Sequence, residues 1–267
     1  MNRSLYMWVR RWAGFVSVAA IICFIQMPQA FAQAPKAQAF PINERIRIDG
    51  KLDEPAWASA APIGPLTQVL PKEGSEASER TEVRVLVDKD ALYFGIECFD
   101  RNPSAIIATQ LTRDADLEMD DSVSVVIDPF FDHRNGFFFD VNPAGARADG
   151  QISNSAEFAS LDWDGIWNAD ARITDQGWIA EIVIPFKTLR FNPGQSVWGL
   201  NVERVIKRYN ETDRWSGARQ DIWLTNLAEA GELEGLPDVR QGKGLDIRPY
   251  GMVARKEGNE WKADGGL

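Results

Sequence analysis

The clearest order in this chain is a two-residue alternation of apolar and polar positions. Val83, Val85 and Val87 alternate with other residues up to Asp88-Lys89-Asp90, and Leu92, Phe94, Ile96 and Cys98 resume the pattern beyond it. Successive side chains of a strand point to opposite faces, so this spacing across a short polar turn predicts a β-hairpin. Val123, Val125 and Ile127 repeat the pattern, with Asp120 and Asp121 before the run and Asp128 and Asp132 after it. Further strands are predicted at 45–48, 136–141, 171–174, 178–184 and 198–205. No long window carries the 3.6-residue apolar period of a helix, and only short helical turns are predicted, near 54–60, 104–108 and 186–189. Many short strands punctuated by Gly, Pro and Asp predict an all-β chain, a β-sandwich or barrel.

The two ends of the chain read differently. Arg3, Arg10 and Arg11 precede a nearly continuous apolar run from Trp12 to Ile25, and Ala30-Phe31-Ala32 follows. A basic start, a short apolar stretch and a small-x-small site predict a secretory signal peptide over residues 1–32. Residues 33–41 (QAPKAQAFP) read as a flexible linker, and 229–242 as a second, acidic and Gly-rich one. Between them, 42–228 is read as one domain. Alternation begins again at Leu245, Ile247 and Tyr250, so 243–267 is read as the start of a truncated C-terminal region.

Charge narrows the partners. The chain carries a formal net charge of −10, and removal of the three leader arginines takes it to −13. Such a surface repels nucleic acid and anionic lipid. With Cys23 in the leader, Cys98 stands alone, which excludes an internal disulfide in an exported chain. The single histidine, His133, excludes a His-rich metal site and a Ser-His-Asp triad.

Two residue sets remain as candidate chemistry. Outside the leader, tryptophans stand at 57, 163, 167, 178, 198, 215, 223 and 261. An indole face suits the C–H face of a pyranose, while sugar hydroxyls seek amides and carboxylates. Trp57, Trp178 and Trp198 lie in apolar alternation and read as core. Trp163 and Trp167, in Leu-Asp-Trp-Asp-Gly-Ile-Trp-Asn, and Trp215, in Asp-Arg-Trp-Ser, lie in polar surroundings and are the candidate platforms. The second set is the aspartates, of which Asp120, Asp121 and Asp128 are candidate ligands of a structural calcium, a cation that takes six to eight oxygens. No carboxylate pair is marked out as a glycosidase acid and nucleophile.

Four ordered blocks resemble the carbohydrate-binding module family nine domain: residues 49–57 (DGKLDEPAW), 83–100 (VRVLVDKDALYFGIECFD), 120–129 (DDSVSVVIDP) and 177–189 (GWIAEIVIPFKTL). Residues 139–145 (FDVNPAG), 163–167 (WDGIW), 189–191 (LRF) and 198–201 (WGLN) are similar to an exported subgroup in which the module precedes an outer-membrane β-barrel. The resemblance implies an antiparallel, jelly-roll-like β-sandwich that binds an oligo- or polysaccharide without catalysis, with structural calcium, at the periplasm or outer membrane. It also implies a clamp of two aromatics. One clamp position falls at Leu117-Glu118-Met119, where no aromatic stands, and the other near Trp215-Ser216. Trp215 is therefore expected to stack the sugar with Trp163 or Trp167, and Glu118 to bond its hydroxyls. An adaptor domain that organises a β-barrel without a sugar ligand, and the binding module of a glycoside hydrolase, are the alternatives.

Overall fold

The computed structural model describes residues 34–239 and the backbone of 250–256 and 260–266. Two sheets face each other across one core. The larger contains β1 (Lys36–Gln38), β3 (Thr67–Leu70), β6 (Ser122–Asp128), β7 (Gly136–Val141), β8 (Arg147–Ile152), β11 (Trp198–Ile206), β12 (Glu211–Arg214) and β13 (Gly231–Glu234). Its main path is β1-β13-β11-β6-β7-β8; β12 pairs with the second half of β11 and with β3. The smaller sheet runs β2 (Phe40–Pro41), β4 (Thr81–Val87), β5 (Ala91–Phe99), β10 (Gly177–Pro185) and β9 (Asn168–Thr174). The chain is therefore a β-sandwich.

The alternation dictates the packing. Val83, Val85, Leu92, Phe94 and Ile96 of the smaller sheet meet Val123, Val125, Ile127, Phe137 and Phe139 of the larger, all essentially inaccessible to water. Each large apolar side chain withdrawn from water contributes about 1.5–3 kcal/mol before the entropy of ordering is set against it. Trp178 and Trp198 lie in this core, as expected. Trp57 packs on the opposite face of β5, where a Cβ on Gly95 would stand 2.7 Å from its ring. The Asp49-Gly50-Lys51 turn is held there by a buried carboxylate, since Glu181 Oε2 accepts all three backbone N–H groups at 2.8–3.2 Å. Gly50 has φ +74°, a conformation that favours glycine.

Several expectations need correction. Residues 45–48 form no strand; Ile46 is instead buried beside Trp57 against the outer face of the smaller sheet. The supposed linker 33–41 carries β1 and β2, which pair in parallel with β13 and β4, so the sandwich is not wholly antiparallel. The supposed linker 229–242 contains β13, seated between β1 and β11. The expected leader lies outside the described residues. So do 243–249; beyond them β14 (Tyr250–Lys256) and β15 (Glu260–Gly266) pair as an antiparallel hairpin. The short helical turns fall near their expected places, at Pro55–Ser59, Pro103–Ala105 and Phe186–Thr188.

Candidate functional site

The outward face of the larger sheet carries polar residues in register. Asp140 on β7 is the cross-strand partner of Ser124 on β6, Ser124 of Glu203 on β11, and Glu203 of Arg214 on β12. The inward neighbours of these residues belong to the core, so the period of two places the polar row on the opposite side. Loops rise over this row and close a cleft of about 620 Å³, within the range of small-molecule sites.

Two aromatics stand in its walls. Trp223 is 53 % exposed and Phe158 77 % exposed. The Trp223 loop is anchored by Arg214, which donates to the carbonyls of Gly217 (3.2 Å) and Ile222 (2.7 Å). A bond from Thr225 Oγ1 to the Glu157 carbonyl (2.9 Å) ties it to the loop that carries Phe158. Leu70, Leu161 and Leu224 add aliphatic wall. Phe138 and Val205 stand beside the polar row, so the cleft is apolar at its sides and mixed at its floor.

The floor is acidic. Ser124 Oγ donates to Asp140 Oδ1 at 3.1 Å, and Arg214 grips Glu203 Oε2 through two nitrogens at 2.7 and 2.6 Å. Burial pushes the Asp140 carboxyl up to about 7; the Ser124 and Ser122 hydroxyls oppose the shift and the charge of Glu203 adds to it. Burial raises Glu203 as well, against the pull of Arg214.

Asp120, Asp121 and Asp128 are not gathered around one position in the fold. Asp120 is turned to protein donors: the Thr109 amide and hydroxyl, the Gln110 amide and the Asn142 side chain, all at 2.7–2.9 Å. These bonds hold its carboxyl below the ordinary range, although burial opposes them. Asp121 accepts the Lys207 amide, and Asp128 accepts those of Phe130 and His133. Among the described residues no group of three His, Cys, Asp or Glu side chains is placed to hold a metal ion.

The model of the carbohydrate family 9 binding domain-like family matches residues 48–226. The chain belongs to that family. Solved structures share its fold. A family 9 carbohydrate-binding module from Caldicellulosiruptor kristjanssonii, solved with cellotriose, is 14 % identical over 80 % of this chain and 99 % of its own, with TM-score 0.55. The same source yields a complex with glucose at 14 % identity and TM-score 0.55, covering 78 % of this chain and 98 % of that one. A Bacteroides uniformis protein proposed to bind carbohydrate is 13 % identical over 77 % of this chain and 100 % of its own, with TM-score 0.61. No curated protein matches the chain.

Within this family 9 domain, the tryptophans singled out from the sequence brace the fold. Trp215 is buried in the core, against Gly231, whose missing Cβ makes room for its ring. The following Ser216 is locked to Asn201: its amide donates to Asn201 Oδ1, and Asn201 Nδ2 returns a bond to its carbonyl. Trp167 is buried with its indole N–H on Asp149 (2.9 Å), which also accepts the Gly165 amide and Arg113. Trp163 is half-buried and stacks at a tilt on Phe137, ring centres 4.7 Å apart. Glu118 is on the cleft wall and exposed. Of the expected carbohydrate set, only Glu118 reaches the cleft. Trp223 and Phe158 were missed; Trp223 sits in Asp-Ile-Trp-Leu-Thr, whose apolar run hides its exposure.

Proposed function

We propose that this chain is a non-catalytic carbohydrate-binding module whose sugar site is the cleft on the outer face of the larger sheet. The observation that carries the reading is the solvent-exposed Trp223 beside Phe158, above a floor of hydroxyl and carboxylate groups. An indole face covers the C–H face of a pyranose, and Ser124, Asp140 and Glu118 take its hydroxyls. Related modules solved with cellotriose and glucose support β-glucan fragments as the first ligands to try. The leader-like start supports an exported module, and the segments similar to the barrel-linked subgroup support a role in carbohydrate uptake or catabolism at the cell envelope with an outer-membrane β-barrel as its partner.

Calorimetric titration with cellotriose tests the site. Trp223→Ala is expected to weaken binding at least ten-fold while the melting temperature stays near that of the parent. Unchanged affinity in that variant would remove Trp223 from the site. A second reading, an adaptor whose cleft takes an apolar segment of a barrel partner, is favoured by the exposed Phe158 and Leu161. It predicts no heat with any sugar.

A further inference from the structure

The charges around the cleft are unbalanced in a way that stacking on Trp223 does not require. Glu118, Asp140, Glu157 and Glu203 line it, against Lys207 and Arg214. Arg214 is 4 % exposed and committed to Glu203 and to two loop carbonyls, so it offers little to a ligand. Among the described residues Asp140 makes no ion pair; its neighbours are the Ser124 and Ser122 hydroxyls, and across Ser124 stands the second carboxylate. A half-buried carboxylate that faces another carboxylate and lacks a cation gains from a positive charge delivered by a ligand, because attraction is strong where water is scarce.

We propose that the cleft selects amino sugars, with Asp140 as the residue that receives a hexosamine ammonium group. This rests on the cleft being a sugar site. An ammonium placed over the floor would meet Asp140 and Ser124 together, with Glu203 one strand away. It would also favour the ionised form of Asp140, which burial otherwise resists. The same field rejects uronates, since a ligand carboxylate would enter a site already rich in like charge.

The test compares four trisaccharides on the whole chain by calorimetry at about pH 5.5, 6.5 and 7.5, so that the preference is followed as the sugar amine and the carboxyl change their charge. They are triglucosamine with free amines, its N-acetylated form, cellotriose and trigalacturonate. Triglucosamine is expected to bind at least ten-fold more tightly than cellotriose and the N-acetylated form, trigalacturonate not to bind, and the preference to shrink as salt is raised. In Asp140→Asn the ratio of amino to neutral sugar is expected to fall to near one. A preference that persists in Asp140→Asn would belong to the overall acidity of the chain and overturn the assignment. Equal binding of amino and neutral sugars would overturn it while leaving the sugar site standing. Absence of binding by all four would overturn the sugar site itself.

Discussion

Trp215 and Trp223 are eight residues apart and do different work, because their environments differ. Trp215 fills space between Gly64, Gly231 and the core, so Trp215→Ala is expected to cost about 3–5 kcal/mol of stability, as for a large core deletion. Denaturant unfolding measures this directly, and a midpoint near that of the parent would place Trp215 outside the core. Trp223, half in water, is expected to cost little on truncation and to matter for ligand. Sequence could not separate the two. Asp-Arg-Trp-Ser looks exposed, yet Trp215 points into the core while Arg214 and Ser216, on the outer face, are covered and hold Glu203 and Asn201; Ile222 and Leu224 make Trp223 look like core, yet it lines a wall. A glycine can be as decisive as a tryptophan. A Cβ at Gly95 would stand 2.7 Å from Trp57 and 2.8 Å from Leu52, so Gly95→Ala is expected to destabilise by about 1–3 kcal/mol, read from the same unfolding curves.

Among the elements, the strands with clean alternation were legible and those without it were not. β4, β5, β6, β10 and β11 each bury a period-two apolar face, and their predicted limits fall within a residue or two of the observed ones. β8 reads Arg-Ala-Asp-Gly-Gln-Ile, and its Asp149 is buried because it gathers the Arg113, Gly165 and Trp167 donors. A buried carboxylate leaves no hydrophobic signal. β1 and β13 are three and four residues long and gain their place from pairing across some 200 positions, which no local window contains. The 163–167 loop, read as a sugar platform, is instead a strut pinned to that carboxylate. Asp149→Ala is therefore expected to unfold at lower temperature and to increase amide exchange at Gly165 and Trp167, with wild-type protection in the variant contradicting the strut.

For the whole molecule, buried acids set the response to pH. Burial pushes Asp140 up to about 7 and, with the charge of Glu211 adding and Arg204 opposing, Asp213 up to about 8. In the unfolded chain both ionise near pH 4. Between about pH 4 and 8 the folded state thus holds protons that the unfolded state has lost, and stability falls as pH rises. Asp120 and Asp132, held below the ordinary range, act in the opposite sense only as pH drops beneath about 4. The melting temperature is expected to be lower at pH 8 than at pH 5, and Asp140→Asn to flatten part of that slope. A melting temperature that climbs across this window would show that these carboxyls ionise freely in the fold.

The place where a sugar sits on this sandwich decides between the candidate tryptophans. Indole N–H resonances followed by NMR during titration with cellotriose locate it, since the candidate tryptophans occupy distinct places in the fold. A saturable shift of Trp223 is expected, together with amides of Ser124 and Thr225, while Trp167 and Trp215 stay still. A shift led by Trp163, Trp167 or Trp215, or none at saturating sugar, would contradict it.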